Sequence, residues 1–328
     1  MKKIQVMLLA GLILAAMVIS PAQAADSPFI GVSKIVAHPA LDALEKGVQD
    51  GVLESFPNAR FDLQNANGEM STASSIAQKF KAQKVDIAVG IATPTAQALV
   101  NAIKDRPVLF CAVTDPEGAG LVTSVKKGEK GVTGTSDMTP VKEQILLLRR
   151  ITPIKTLGHV YSSGEANAVT LAAIARQVCK ELGIRFIETT VTNSSEVKQA
   201  VQTIAGRVDG IYLSNDNTIF SALAAVTDVA MKHKIPVMSA DPSSAESHDV
   251  LAAWGFDYYK MGRVTGRLAA GILKGARPVD MPTVYLTDPG DMDLLINMDV
   301  AARLGLTFPP EVVKTANKVI RNGKLTSK

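Results

Sequence analysis

Short apolar segments rich in β-branched residues alternate along this chain with segments of helical periodicity. Eight apolar segments are predicted strands, at residues 29–37, 60–64, 85–92, 107–113, 156–161, 184–191, 209–214 and 235–240. Strands that are apolar along most of their length are typical of parallel sheets covered on both faces. The alternation therefore predicts an α/β protein built from doubly wound, Rossmann-like sheets.

Helical patterns occupy the segments between these strands. Residues 40–56 and residues 168–182 each place apolar side chains at the i, i+3, i+4 and i+7 spacing of an amphipathic helix. The first of these helices is predicted to start at His38 and Pro39, because proline is tolerated at the first helical position. The second is predicted to end at Gly183, since glycine commonly follows the last helical residue.

The strand–helix pattern occurs twice, before and after residues 128–140, a stretch rich in Gly, Thr and Ser. A chain of 328 residues also exceeds what one hydrophobic core usually serves. Two lobes are therefore expected, with residues 128–140, 251–262 and 286–295 as connections between them. A ligand is expected in the cleft between the lobes, beyond the carboxyl ends of the strands.

The first residues, MKKIQVMLLAGLILAAMVISPAQAADSPF, combine two lysines, an apolar run and the small-residue pattern Ala22-Gln23-Ala24. This order predicts a cleaved secretory signal over residues 1–24, with a mature chain that starts near Ala25. A membrane anchor is the alternative, but the apolar run is short for a bilayer span. The expected product is soluble, exported and periplasmic.

Composition and motifs disfavour several other classes of protein. Without Lys2 and Lys3 the net charge falls from +4 to +2, and no basic block remains, so nucleic acid is a poor partner. The sequence has no HExxH or cysteine-cluster metal pattern, no GxxxxGK[ST] or GxGxxG, and no GxSxG. We therefore expect no metal site, no nucleotide cofactor and no enzymatic activity.

The chain has two cysteines, Cys111 in a predicted strand and Cys179 in a predicted helix. A disulfide is chemically possible in an oxidising compartment. Two buried thiols are favoured, because core-type residues flank both.

Small polar residues follow almost every predicted strand. They include His38-Pro39, Asn65-Ala66-Asn67, Thr93-Pro94-Thr95, Thr114-Asp115, Ser136-Asp137, Ser162-Ser163-Gly164-Glu165, Asn215-Asp216-Asn217 and Asp241-Pro242. Each is an ordinary helix-capping type, which is the simplest interpretation of any single one. If the strands are parallel, however, all of these residues face one cleft. Helix N-termini there expose unpaired backbone N–H groups that favour an anion, and the aspartates favour an ammonium group, so a zwitterion is expected.

Several segments together resemble one known family. They are IVAHPALDALEKGVQDGV, VDIAVGIATPTAQAL, AVTDPEGAGLV, VTGTSDMTPVKEQI, SNDNTI and WGFDYYKMG. Over essentially the whole mature chain, and in the same order, they are similar to the ABC-transporter substrate-binding proteins for tryptophan and tyrosine. The resemblance implies a type I periplasmic-binding-protein fold with three hinge crossings. It also implies a receptor, expected to be a monomer, that hands an aromatic amino acid to an inner-membrane permease.

The resemblance also implies site residues and lobe boundaries. Thr93 and Thr95 would hold the ligand carboxylate. The other implied ligand contacts are Thr114, Asp115, Ser136, Asp137, Asn215, Asp216, Asn217 and Asp241. At Asp241 this chain reads SADPSSAESHDV, which departs from the glycine- and acid-rich turn of the family. The expected lobes are residues 25–137 with 256–288, and residues 138–255 with 289–328.

An aromatic ligand would be expected to meet aromatic side chains. Tyr161, Phe220 and Trp254 are candidates, although each is more readily explained as part of a hydrophobic core. The same fold binding a nucleoside, a sugar or a branched amino acid, for uptake or for sensing, is the alternative. The lining of the pocket distinguishes these possibilities.

Overall fold

The computed structural model describes residues 27–328, which form two α/β lobes. The predicted signal segment at residues 1–24 lies outside the described residues. Within residues 27–328, no helix has the length and apolar character needed to cross a membrane.

The first lobe begins with five strands, and a helix follows each of the first three. Its elements are β1 (Phe29–Lys34), α1 (Pro39–Leu53), β2 (Arg60–Asn65), α2 (Met70–Gln83), β3 (Ile87–Ile91), α3 (Thr93–Ala102), β4 (Val108–Cys111) and β5 (Val132–Ser136). The strands lie in the order β2-β1-β3-β4-β5, and every pair is parallel. Parallel pairing places all their carboxyl ends at one edge of the sheet.

The second lobe repeats this architecture. Its elements are α4 (Val141–Ile151), β6 (Thr156–Ser162), α5 (Ala166–Glu181), β7 (Arg185–Val191), α6 (Val197–Ala205), β8 (Gly210–Leu213), α7 (Asn217–Ser221), α8 (Leu223–Lys232), β9 (Val237–Ser239), α9 (Pro242–Ala245) and β10 (Ala252–Phe256). These strands lie in the order β10-β9-β8-β6-β7 and are also parallel.

The chain then returns to each lobe once. The returning elements are α10 (Tyr258–Leu273), β11 (Val284–Tyr285), β12 (Met292–Asn297), α11 (Met298–Leu304), α12 (Pro310–Thr315), β13 (Lys318–Arg321) and β14 (Lys324–Ser327). Strand β11 joins β5 in the first sheet, and β12 pairs antiparallel with β10 in the second. Three connections therefore link the lobes, after β5, after β10 and after β11. This confirms the predicted two-lobe α/β fold, whereas the residue boundaries given above for the lobes stay predictions.

The prediction that three segments serve only as connections is wrong, because each of them contains a strand. Residues 128–140 contain β5, residues 251–262 contain β10, and residues 286–295 contain most of β12. Strand β5 reads VTGTS, which is too polar for an obvious buried strand, yet all five of its residues are buried. A side chain at Gly134 would place its Cβ 1.9 Å from the Phe110 carbonyl oxygen, so only glycine allows the approach to β4.

Close packing of two helices fixes the returning segment on the first lobe. A Cβ added at Gly47 of α1 would lie 2.3 Å from the Tyr259 carbonyl oxygen of α10, and one at Gly266 would lie 2.3 Å from the Val48 carbonyl oxygen. The absence of side chains lets the two backbones approach. A hydrogen bond of 2.9 Å between the hydroxyls of Thr135 and Thr265 also ties α10 to β5.

Both cysteines are buried and free, which confirms the prediction of two thiols. Cys111 lies in β4 of the first lobe, and Cys179 lies in α5 of the second.

Candidate functional site

A narrow cavity lies between the carboxyl ends of the two sheets. Its volume is only about 20 Å³, room for about one water molecule, so the two lobes are tightly closed at this point. Both lobes line it, with His38, Ala40, Leu41, Ala92, Thr93, Ala112, Thr114, Asp137, Asn167, Asn215, Asp216, Asn217, Phe220 and Tyr258.

The first lobe presents two helix N-termini that no side chain caps. Helix α1 begins after His38, and α3 begins after Ala92, and neither capping residue makes a side-chain hydrogen bond to its helix. The first-turn N–H groups of such helices are therefore available to an anion. The backbone at Ala92 (φ 71°) and Ala112 (φ 55°) lies in the left-handed region, which costs a residue with a side chain free energy.

The second lobe presents a helix N-terminus that carboxylates already occupy. Asp216 caps α7 by accepting a hydrogen bond from Ile219 N at 3.0 Å, and it also accepts one from Ser162 N at 2.6 Å. Glu165 accepts two more from Thr218, through its backbone N–H at 2.9 Å and its hydroxyl at 2.7 Å. Negative charge therefore concentrates on this side of the cavity.

Asp137 joins the two lobes at the connection that follows β5. Its carboxylate accepts hydrogen bonds from Thr114 Oγ1 of the first lobe at 2.9 Å and from Asn215 Nδ2 of the second lobe at 2.9 Å. The hydroxyl of Tyr258, which follows the second connection, lies 3.4 Å from the same carboxylate. Asp137 therefore bridges both lobes at the level of the hinge.

Several buried polar atoms around the cavity have no hydrogen-bond partner in the protein. They are both ring nitrogens of His38, Thr93 Oγ1, Asn167 Oδ1 and Asn215 Oδ1. The amide orientations are well defined, because Asn215 Nδ2 donates to Asp137 and Asn167 Nδ2 donates to the Asn215 carbonyl oxygen at 2.9 Å. The two Oδ1 atoms are therefore free acceptors. Buried polar groups are nearly always paired, so these atoms are free to form hydrogen bonds with a ligand or with water in the cavity.

The charge balance around the cavity is negative. Among the described residues that line it, none is lysine or arginine. Burial raises the pKa of Asp137 to about 6, and burial together with the nearby Glu165 carboxylate raises the pKa of Asp216. Burial also lowers the pKa of His38, against the opposing effect of Asp241. Nearby positive charge on a ligand would stabilise these carboxylates.

No group of three His, Cys, Asp or Glu side chains suited to a metal ion occurs within residues 27–328.

Six of the ten predicted site residues line the cavity, namely Thr93, Thr114, Asp137, Asn215, Asp216 and Asn217. The other four make hydrogen bonds elsewhere. Thr95 Oγ1 donates to Ile91 O, and Ser136 Oγ donates to Thr114 O. Asp115 accepts from Gly118 N, and Asp241 caps α9. Ligand contact by any of the ten stays a prediction.

The structure also corrects the interpretation of Thr93 as a helix cap. Thr93 is the first residue of α3, and the capping position belongs to Ala92. The Thr93 hydroxyl is buried without a partner, so capping does not explain it.

Three residues that line the cavity, His38, Asn167 and Tyr258, are not among the ten site residues predicted from the sequence. His38 is predicted as a helix start and as one of the strand-end residues at the cleft but not as a ligand contact, while Asn167 lies in the first turn of α5 and Tyr258 opens α10. Of the three aromatic candidates, Phe220 lines the cavity. Tyr161 stacks on His159 inside the second lobe, and Trp254 lines a separate groove beside α4.

Comparisons with known proteins agree with this architecture. Residues 29–320 match the family described as ABC transporter substrate binding protein. A tyrosine-binding protein of Clostridioides difficile is 36% identical over 282 residues, which cover 84% of this chain and 81% of the relative.

Two solved structures of similar sequence identity differ in how closely they match this structure. An ABC domain from Streptococcus pneumoniae in complex with L-Trp is 35% identical to this chain, with a TM-score of 0.85. The aligned region covers 90% of this chain and 100% of the Streptococcus pneumoniae chain. The ligand-free, open structure of an adhesive substrate-binding protein from Clostridium difficile is 36% identical but has a TM-score of only 0.65, over 86% of this chain and 96% of its own. At equal identity, the present structure is therefore nearer to the ligand complex than to the open form. With its two lobes, interlobe cavity and family match over residues 29–320, the chain belongs to the ABC transporter substrate-binding protein family.

Proposed function

We propose that this protein captures one aromatic amino acid, tryptophan, tyrosine or phenylalanine, between its lobes and delivers it to an ABC permease. The observation that carries the proposal is the set of unpaired buried polar atoms contributed by both lobes. Thr93 and His38 come from the first lobe, and Asn167 and Asn215 come from the second. A ligand that satisfies both sides would hold the lobes together.

The distribution of donors and acceptors fits the zwitterionic part of an α-amino acid. The free oxygens of Asn167 and Asn215 accept hydrogen bonds from the ammonium group, with the carboxylates of Asp137 and Asp216 nearby. The uncapped N-terminus of α3 and the Thr93 hydroxyl receive the carboxylate. The two charged ends of the ligand thus contact different lobes.

Closure of the lobes is the proposed capture step. Asp137 and Tyr258 lie at two of the three connections and are linked to each other, so hinge rotation takes place around them. When the lobes close, water leaves the cavity and each polar contact to the ligand strengthens. The ligand lowers the free energy of the closed state more than that of the open state, because only in the closed state does it touch both lobes.

The walls of the cavity favour an aromatic side chain over a sugar. Phe220 and Leu41 supply apolar surface, and Tyr258 adds an aromatic ring. The related proteins include one named for tyrosine and one in complex with L-Trp. These three observations support the choice of aromatic amino acids over branched amino acids, nucleosides and sugars.

The cellular setting follows from the family and from the N-terminal sequence. We propose that the chain is cleaved near Ala25, works as a periplasmic monomer and releases its ligand chemically unchanged to a permease in the inner membrane.

A thermal-shift screen tests this proposal. The mature protein is mixed with amino acids, sugars and nucleosides, and aromatic amino acids are expected to raise its melting temperature. Asn215→Ala is expected to weaken binding by roughly 10- to 100-fold, since it removes one acceptor of the ammonium group. Asn101→Ala, on the exposed end of α3, is the matched control and should bind normally. A shift with a sugar or nucleoside alone contradicts the proposal.

A further inference from the structure

Among the unpaired polar groups that line the cavity, the proposed ammonium and carboxylate contacts use Thr93, Asn167 and Asn215 and leave the imidazole of His38. His38 is 6% exposed, and both of its ring nitrogens are buried without a partner. It stands at the capping position of α1 but makes no side-chain hydrogen bond to that helix. Capping therefore does not account for it.

The surroundings of His38 combine apolar surface with acceptors. Its ring meets the ring of Phe220 edge to face, with 5.9 Å between the centroids, across the two lobes. The charged groups that face it are the carboxylates of Asp241, Glu165 and Asp42, and the side-chain amide of Asn217 lies close to the ring but outside good hydrogen-bond geometry. Burial lowers the pKa of His38 and keeps the ring neutral near pH 7.

A neutral imidazole has one N–H donor and one bare nitrogen acceptor. The neighbouring carboxylates favour the N–H on the nitrogen nearer to them. The other nitrogen is then an acceptor with no partner in the protein, and leaving it unpaired in the closed state costs free energy. A ligand side chain with a polar hydrogen would remove that cost.

We propose that His38 accepts a hydrogen bond from the ligand's aromatic side chain and so selects a phenol or an indole over a plain benzene ring. This inference rests on the proposed function, because it takes the ammonium group to lie at Asn215 and the carboxylate at Thr93. The remaining part of the ligand then lies against Phe220 and His38. Tyrosine carries a phenol O–H and tryptophan an indole N–H, whereas phenylalanine has neither.

Isothermal titration of the mature protein with tyrosine, tryptophan and phenylalanine tests the inference. The wild-type protein is expected to bind tyrosine or tryptophan at least about 10-fold more tightly than phenylalanine. His38→Phe keeps a ring against Phe220 but removes both nitrogens. The affinity of this variant for the preferred ligand should be roughly 10- to 100-fold lower than that of the wild type. Its affinity for phenylalanine should change by less than about 3-fold.

Two further variants make the result specific. His38→Asn keeps a polar acceptor and should retain part of the preference, and it serves if His38→Phe fails to fold. Thr93→Ala changes the contact to the carboxylate, which all three amino acids share, and should lower the affinity for all three by the same factor. If His38→Phe lowers the affinity for all three equally, or leaves every affinity unchanged, the role of His38 is overturned. Equal wild-type affinity for all three would overturn it as well, whereas no binding of any aromatic amino acid would overturn the proposed function itself.

Discussion

Replacing Asp137 by asparagine gives a prediction whose size follows from the structure. Asp137 is 5% exposed, and its carboxylate bridges Thr114 and Asn215 at the hinge. Burial raises its pKa from 3.8 to about 6. Asparagine has nearly the same shape but cannot ionise, so it removes the charge while leaving the volume almost unchanged.

The direction of the effect follows from proton binding. The unfolded chain loses the Asp137 proton near pH 4, while the folded protein keeps it until about pH 6. Above about pH 4, folding must therefore either protonate this carboxylate again or bury its charge. The contribution of this group to the free energy of unfolding consequently declines as the pH rises from about 4 to about 6. The full effect is about 3 kcal/mol, of which about 2 kcal/mol develops between pH 4 and pH 7.

Denaturant unfolding of the ligand-free wild type and of Asp137→Asn, at several pH values from 4 to 7, measures this effect. The variant loses hydrogen-bond complementarity at every pH, because its amide N–H₂ must face a donor. On top of that constant loss, the free energy of unfolding of the variant minus that of the wild type should increase by about 2 kcal/mol from pH 4 to pH 7. A difference that stays constant or decreases with pH would refute the assignment of a raised pKa to Asp137.

Three further predictions concern packing, thiols and ligand affinity. Gly47→Ala should lower the free energy of unfolding by about 1–3 kcal/mol, because its Cβ would lie 2.3 Å from a carbonyl oxygen of α10. The control Gly271→Ala, whose Cβ meets no atom within 4 Å, should raise it by about 0.5–1 kcal/mol, and equal effects in thermal melts would contradict the packing account. Thiol titration should detect Cys111 and Cys179 only after denaturant is added, whereas a disulfide would show none at all. Calorimetry should show amino-acid affinity falling below about pH 6, where Asp137 gains its proton, and a flat profile from pH 5 to pH 8 would count against an ammonium site.

Local sequence patterns predicted much of the fold because they reflect backbone chemistry. Helix α1 begins at Pro39, as the His38-Pro39 pair indicates. Gly183 follows α5 with φ 66°, a conformation that glycine adopts without strain. The polar strand β5 could not be recognised in this way, because its strand conformation depends on pairing with β4 on one edge and with the distant β11 on the other.

The candidate site was only partly predictable for a geometric reason. The expectation that ligands lie beyond the carboxyl ends of the strands identifies the edge of the sheet. The direction of each side chain, however, depends on its position in the helix that follows. Thr93 and Thr95 are two residues apart in α3, so their side chains point about 200° apart around the helix axis, and only Thr93 lines the cavity. Asn167 and Tyr258 reach the cavity through the packing of α5 and of the returning α10, which no local pattern encodes.

A crystal structure of the mature protein with L-tyrosine or L-tryptophan tests the central claim most directly. The account predicts one ligand between the closed lobes, with its ammonium group about 3 Å from the Asn215 and Asn167 oxygens and its carboxylate at Thr93 and the start of α3. A ligand in the opposite orientation, or one bound in the groove beside Trp254 while the interlobe cavity stays empty, would contradict it.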